Sequence, residues 1–233
     1  MEFYDKVIKA FSPIEEGGIF TGAVYYPARY EKELDEEKEE FIRLYQRNLY
    51  EFMRRLMVKR FESSFGAFLQ SLRNFKEVHE TAREFAEKTG KFILDRRLME
   101  ELLEEDEDTI EKRLKEYAQE LKELQTIREY YKVYEISEFE KGEQFLDDIR
   151  KDIELFESLE KELIELGLTQ EDPKAKRLIE GIKDFLKEGR KVVIFTEYVD
   201  TALHLKDILE KEFGEKLLTA IGNVSKQTSL AIL

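Results

Sequence analysis

One long helical pattern constrains the fold of this chain more than any other feature. From Asp35 to Phe75 the sequence contains no proline and a single glycine, Gly66. Apolar residues recur there every three or four positions, namely Phe41, Tyr45, Leu49, Phe52, Leu56, Phe61, Phe65, Phe68, Leu72 and Phe75. This spacing predicts a helix with one buried stripe, roughly 60 Å long at 1.5 Å per residue. A glycine inside a helix costs about 1 kcal/mol, so we expect any kink at Gly66.

Helical patterns also occur on both sides of this segment. Further helices are expected at residues 1–12, 76–89, 109–134 and 138–166. The helix at 76–89 should end at Thr89-Gly90, because glycine favours the left-handed conformation that closes helices. Residues 12–30 hold two of the chain's three prolines and three glycines, which favours an irregular loop or a short extended segment. Residues 1–170 are therefore expected to form a mainly α, long-helix bundle.

The pattern changes after Gly167. Pro173 is expected in the first turn of a helix over residues 174–187, where its missing N–H costs nothing. The run VVIF within Lys191–Phe195 is continuous, which is typical of a parallel strand covered on both faces. A helix at 198–213 and a strand at 217–221 follow. Two strands do not make a stable parallel sheet by themselves, so residues 171–233 are interpreted as a truncated α/β piece.

Composition excludes several classes of function. Charged residues make up 39% of the 233 residues and the formal net charge is −14, so any nucleic-acid binding needs a local basic patch. The absence of cysteine excludes disulfides and thiolate sites, and two histidines make a histidine metal cluster implausible. No apolar run is long enough to span a membrane, and the N-terminus lacks a signal-peptide pattern. We expect a cytoplasmic protein, with a charge content typical of thermophiles.

Three stretches resemble the Swi2/Snf2-like branch of superfamily-2 helicases and DNA translocases, in its prokaryotic helicase-related form. RRLMVKRFESSFGAFLQSL, at Arg54–Leu72, is similar to a segment between the two RecA-like lobes of that family. DPKAKRLIEGIKDFL, at Asp172–Leu186, resembles the helix that leads into the second lobe. KVVIFTEYVDTALHLKDIL, at Lys191–Leu209, resembles motif IV, the first strand of that lobe. The resemblance implies a helical interlobe domain at 1–170 and an incomplete RecA-like second lobe at 171–233.

The resemblance also implies which activity belongs to the intact parent. That parent would use ATP and magnesium to drive translocation on DNA. Phosphoryl transfer needs a phosphate cradle, a metal site and a charge-stabilising arginine. The sequence has no GxGKT-type loop, and no acidic pair follows an apolar strand. We therefore expect no cofactor and no catalysis in this chain alone.

Candidate nucleic-acid contacts fall in two places. The first is a basic cluster within residues 41–60, a stretch in which Glu51 is the single acidic residue. The cluster consists of Arg43, Arg47, Arg54, Arg55, Lys59 and Arg60. It either tracks a DNA backbone or pairs with nearby acidic helices. The second place is the end of the motif IV strand, where the resemblance implies roles for Phe195, Thr196 and Tyr198. Ordinary capping of the next helix is the alternative there.

The expected partners follow from these interpretations. They are DNA through the intact parent, the remaining helicase lobes in cis or in trans, and a second copy joined through an open sheet edge. The alternative is a stand-alone helical module whose acidic face binds a basic protein or imitates DNA. An exposed patch at Arg43–Arg60 favours the first interpretation, whereas side chains held in salt bridges favour the second.

Overall fold

The computed structural model describes residues 2–32, 37–97, 107–123, 131–170, 172–196, 199–214, 217–220 and 228–232. Most of these residues are helical, which confirms the prediction of a mainly α chain. The α-helices are α1 (Glu2–Ala10), α2 (Glu37–Ser63), α3 (Phe65–Thr89), α4 (Glu107–Glu123), α5 (Gly142–Glu165), α6 (Pro173–Lys187) and α7 (Val199–Phe213). The strands are β1 (Lys91–Asp95), β2 (Tyr131–Glu135), β3 (Val192–Thr196), β4 (Leu217–Ala220) and β5 (Thr228–Ile232).

The chain divides into two compact units. The first comprises Met1–Val58 and Leu72–Leu159, and the second comprises Lys59–Ser71 and Glu160–Leu233. Neither unit is continuous in sequence, because the turn between α2 and α3 belongs to the same unit as the C-terminal residues. The boundary predicted near residue 170 lies inside the second unit.

The predicted helix from Asp35 to Phe75 is two helices, and the junction lies at Ser64 rather than at Gly66. The Ser64 hydroxyl accepts a hydrogen bond from the backbone N–H of Ala67 at 3.0 Å. A serine that accepts from the third residue of a helix is an N-cap, so Ser64 starts α3. At the other end α3 finishes at Thr89 and Gly90 has a φ of 71°, which confirms the predicted stop.

The buried face of α2 differs from the predicted one. Its buried residues in the first unit are Gln46, Leu49, Tyr50, Met53, Leu56 and Met57. At 3.6 residues per turn this face is rotated by about 90° from the predicted stripe. As a result, the side chain of Phe41 is 59% exposed instead of buried. The period was predicted correctly and the orientation was wrong.

The segment predicted as an irregular loop is anchored to α5. The carboxylate of Asp152, which is fully buried, accepts hydrogen bonds from the backbone N–H groups of Thr21 at 2.7 Å and Gly22 at 2.9 Å. One turn earlier, Asp148 accepts a hydrogen bond from the Tyr30 hydroxyl at 2.8 Å. Buried polar groups are stable only when they are paired, so these two aspartates fix the path of the segment. Phe20 then packs against Phe156 of α5, with 5.8 Å between ring centroids.

A small antiparallel sheet in the first unit was not predicted. β1 and β2 pair in a register that places Ile93 opposite Val133. The predicted helix at 109–134 is therefore wrong at its C-terminal end, because residues 131–134 are extended. Tyr117 of α4 is fully buried and donates a hydrogen bond from its hydroxyl to the Ile93 carbonyl.

The second unit packs α6 and α7 against one face of β3. Asp172 caps α6 by accepting hydrogen bonds from the backbone N–H groups of Lys174 at 2.8 Å and Ala175 at 3.4 Å. Ile182 and Leu209 are fully buried at the centre of this packing. The half-buried side chains that surround them are Leu178, Ile179, Leu186, Val192, Ile194, Leu205 and Phe213.

The sheet of the second unit differs from the predicted one in two ways. Its order is β3-β5-β4, and β5 runs antiparallel to both neighbours, so β3 does not lie beside a parallel strand. The other face of β3 is exposed, with Val193 at 53% and Phe195 at 65%. The prediction of a strand covered on both faces was therefore wrong. Within the described residues β3 pairs only with β5, which leaves its second edge without a neighbouring strand.

Candidate nucleic-acid interface

The six predicted basic residues of α2 divide into three groups by exposure. Arg47 and Arg55 of the first unit and Lys59 of the second are exposed, whereas Arg43 and Arg54 are half-buried. Arg60 is fully buried. Arg47, Arg55 and Lys59 are exposed and Arg60 is buried because they lie on different faces of the same helix. Exposed positions on one side of a helix can form a basic surface without any loop to hold them.

Arg54 is already engaged with its own unit. Its Nη1 donates to the carbonyl of Phe11 at 2.8 Å, and its Nη2 lies 2.5 Å from the Glu51 carboxylate. An arginine held by a carboxylate and a buried carbonyl would have to break both contacts to bind a phosphate. Arg54 therefore fixes α1 against α2 and belongs to the scaffold.

The burial of Arg60 follows from its position in the helix. It lies four residues after Leu56 and seven after Met53, which are both buried on one side of α2. Residues spaced by four and seven share a helical face. The sequence carries this signal, but reading it requires knowing which face of α2 is buried. Arg60 does not form part of an exposed surface.

A groove lies at the N-terminal half of α2 in the first unit. Its volume is about 410 Å³, and it is lined by Tyr26, Glu40, Phe41, Arg43, Leu44 and Arg47. Ligand-binding clefts typically have volumes of about 300–1,000 Å³. Phe41 and Leu44 are 59% and 50% exposed, so the groove presents apolar surface to solvent. The sequence interpretation assigned Phe41 to the core and therefore missed this groove.

Side-chain contacts orient the walls of the groove. The rings of Phe41 and Tyr45 lie 4.4 Å apart between centroids, which supports the Phe41 ring from one side. Arg43 donates from Nη2 to the carbonyl of Lys32 at 2.8 Å. A guanidinium has five N–H donors, so the contact orients Arg43 and leaves further donors for a ligand. The groove has two aromatic rings and two arginines among its lining residues.

The electrostatics of the groove favour an anion. Arg43 and Arg47 carry two positive charges, and Glu40 carries one negative charge. The guanidinium carbon of Arg29 lies 5.8 Å from the Tyr26 ring centroid, which adds a third cation behind that wall. Among the lining residues of the groove, positive charge exceeds negative charge by one. The groove can combine aromatic stacking with neutralisation of a phosphate.

The second predicted contact region lies in the second unit. Phe195 is 65% exposed near the carboxyl end of β3, and Thr196 is its half-buried last residue. Tyr198 lies outside the described residues. The rule that ligands bind beyond the carboxyl ends of strands holds for parallel α/β sheets, and β3 pairs with an antiparallel strand. The exposure of Phe195 is therefore the observation that keeps it a candidate contact.

The three stretches that carry the family resemblance are in mutual contact within the second unit. Ser63 Oγ and Thr201 Oγ1 form a hydrogen bond of 2.7 Å, which joins the first stretch to the third. Lys174 Nζ donates to the Glu62 carbonyl and joins the second stretch to the first. His204 Nε2 lies 3.5 Å from Asp172 Oδ2 and joins the third to the second.

The Asp172 carboxylate is buried at this meeting point and accepts hydrogen bonds from two backbone N–H groups. Burial alone would raise the pKa of Asp172. The adjacent His204 ring and the backbone N–H groups of Lys174 and Ala175 outweigh burial and lower the pKa below its ordinary value. The carboxylate therefore remains ionised and holds α6 and α7 together.

Among the described residues, no group of three or more histidine, aspartate or glutamate side chains is arranged to hold a metal ion. None of the helices in the described ranges is both long enough and apolar enough to cross a membrane.

Comparison with known proteins adds no relative. No family model matches the chain, and neither a curated protein nor a solved structure does so.

Proposed function

We propose that this chain is the DNA-facing helical region and the beginning of the second lobe of a Snf2-like translocase. In this role it binds DNA and transmits lobe movement, and it performs no catalysis itself. ATP, magnesium and the chemistry of hydrolysis come from other lobes, in cis or in trans. The chain contributes surface and scaffold to that assembly.

The proposal is carried by the contact among the three family-like stretches. Arg54–Leu72, Asp172–Leu186 and Lys191–Leu209 are far apart in sequence, yet residues of all three meet in one compact unit. Motifs that serve one motor are expected to work from one structural unit. The contacts support the common origin suggested by the sequence pattern.

The exposed cations of α2 supply the surface for DNA. Arg47 and Arg55 lie eight residues apart, about 12 Å along the helix axis at 1.5 Å per residue. Phosphates of one strand repeat about every 3.4 Å along the duplex axis, so two cations about 12 Å apart can reach different phosphates. Each neutralised phosphate releases counterions, which makes the binding dependent on salt.

The experiment is a fluorescence anisotropy titration of a labelled DNA duplex at several salt concentrations. We expect Arg47→Glu/Arg55→Glu to weaken binding by about tenfold or more. It should also make the plot of log affinity against log salt shallower, by about one for each lost contact. The matched control is Arg177→Glu/Arg190→Glu, which changes net charge equally at exposed positions of the second unit.

The outcomes separate the two interpretations of the chain. Equal loss in both double variants would mean that binding senses only total charge, which contradicts a DNA-facing surface on α2. If the unmodified chain shows no measurable DNA binding at low salt, the proposal is refuted. Binding to a basic protein would then be the next measurement, because it is what an acidic interaction module predicts.

A further inference from the structure

We propose that the groove at the N-terminal half of α2 binds an unpaired base of single-stranded DNA. The base would stack on Phe41, and its flanking phosphates would contact Arg43 and Arg47. This inference rests on the proposed function, since it assumes that the chain meets DNA. It goes further by assigning the groove to single strands, whereas the exposed residue Arg55 serves duplex backbone.

The exposure of Phe41 is the first reason. A phenylalanine that is 59% exposed keeps a large apolar ring in water at a cost in free energy. Its neighbour Leu44 is also half exposed, so the two form a continuous apolar surface. Covering this surface with a flat apolar group recovers the hydrophobic free energy. A nucleobase is such a group, and each base presents a π-face of similar character.

The support behind Phe41 is the second reason. Tyr45 lies one turn further along α2, with its ring centroid 4.4 Å from that of Phe41. Tyr26 forms another wall and is held by Arg29, which also donates to the carbonyl of Thr21 at 2.9 Å. A ring that is fixed before binding loses little conformational entropy when a base stacks on it.

The cations are the third reason, and they select the kind of ligand. Arg43 is oriented by the carbonyl of Lys32, while Arg47 is exposed one turn away. An apolar peptide would leave these two charges without partners at the groove. A nucleotide would cover the apolar ring with its base and neutralise the two arginines with its phosphates. Single-strand sites combine aromatic platforms with basic grooves for this reason.

Duplex DNA fits the groove less well than a single strand. Bases in a duplex are stacked on one another, and extruding one costs a few kcal/mol in unstacking and unpairing, which is a factor of tens or more in affinity at 1.4 kcal/mol per tenfold. A single strand presents its bases without that cost. The geometry therefore favours single-stranded DNA for contact with Phe41.

The test compares a labelled single-stranded oligothymidine with a blunt duplex of the same length. We expect Phe41→Ala to weaken single-strand binding by about fivefold or more, which matches the effect of removing one stacking platform. Duplex binding should change by less than about twofold. The matched control is Phe185→Ala, which removes the same side chain from a 45% exposed position of the second unit. Circular dichroism verifies that both variants are folded.

Glu40→Gln provides a variant with the opposite expected sign. The Glu40 carboxylate lines the groove and repels phosphate, so its neutralisation should tighten single-strand binding about twofold. A buried structural role for the groove would predict no change in affinity from this substitution.

The outcomes distinguish this inference from the proposed function. If Phe41→Ala leaves single-strand binding unchanged while Arg47→Glu/Arg55→Glu weakens duplex binding, the groove is not a base site and the proposed function stands. If neither DNA binds the unmodified chain, both proposals fail. If Phe41→Ala weakens single-strand and duplex binding equally, the groove does not select unpaired bases and the inference is overturned.

Discussion

Replacement of Gly66 by alanine should destabilise the second unit, although alanine is the better helix former. A Cβ built at Gly66 would lie 2.4 Å from Nδ1 and 2.5 Å from Cγ of His204. These atoms belong to the base of the ring, and Nε2 of the same ring lies 3.5 Å from Asp172. The ring therefore cannot move away without disturbing α7 or its contact with the cap of α6.

The two opposing effects have different magnitudes. Exchange of glycine for alanine stabilises a helix interior by up to about 1 kcal/mol, and by less in the first turn where Gly66 lies. Overpacking of a well-packed site costs about 1–3 kcal/mol. We therefore expect Gly66→Ala to lower the free energy of unfolding by about 1–2 kcal/mol. Gly181→Ala is the matched control, because no atom lies within 4 Å of its Cβ position and α6 should gain about 1 kcal/mol.

A double-mutant cycle identifies the cause. In a His204→Ala background the ring is absent, so Gly66→Ala should become neutral or stabilising. The coupling between the two positions should be about 2 kcal/mol, measured by urea denaturation followed by circular dichroism. Hydrogen exchange in residues 199–213 would report on α7 directly. If Gly66→Ala stabilises the protein as much as Gly181→Ala does, the close packing of His204 on α3 is refuted.

Two further predictions concern pH. Because the pKa of Asp172 is lowered in the folded state, its stabilisation is present above its unfolded value of about 3.9 and is lost as pH falls below that value. Asp172→Asn keeps a capping side chain, so unfolding measured against pH should lose this acid dependence; an unchanged curve would contradict the role of the charge. Burial raises the pKa of Tyr25, Tyr30 and Tyr117 above the ordinary value of about 10. The first unit should lose stability as pH rises past about 10, and tyrosinate absorbance without unfolding there would contradict this.

The family resemblance illustrates how far sequence patterns reach. The three stretches that carry it were found from residues alone, but their contacts could not be. The hydrogen bond between Ser63 and Thr201 joins positions far apart in the chain, and no local pattern reports such a pair. The same holds for β1 and β2, whose short strands are separated by a helix. A five-residue strand has no periodicity long enough to be distinguished from a helix end without its partner.

The candidate groove shows a similar division. The sequence correctly placed Arg43, Arg47 and Arg55 on a helix and recognised their local excess of charge. It could not assign Arg54 to the carbonyl of Phe11, nor Arg60 to the interior, because both depend on which face of α2 is buried. That face is chosen by the total burial of every residue on it, against elements distant in sequence. Because the buried face of α2 lies about 90° around the helix from the predicted face, Phe41 is on the surface and not in the core.

The sequence by itself determined the helical character of this chain, most helix positions, and the strands at 192–196 and 217–220. These features depend on propensity, capping and periodicity, which act over a few residues. Tertiary structure alone decided the orientation of α2, the pairing of the strands and the anchoring of the loop by Asp148 and Asp152. The requirement for glycine at position 66 also comes from tertiary structure, because the His204 ring occupies the space that a Cβ would need. Each of these depends on contacts between residues far apart in the chain, whose free energy exists only once the chain has folded.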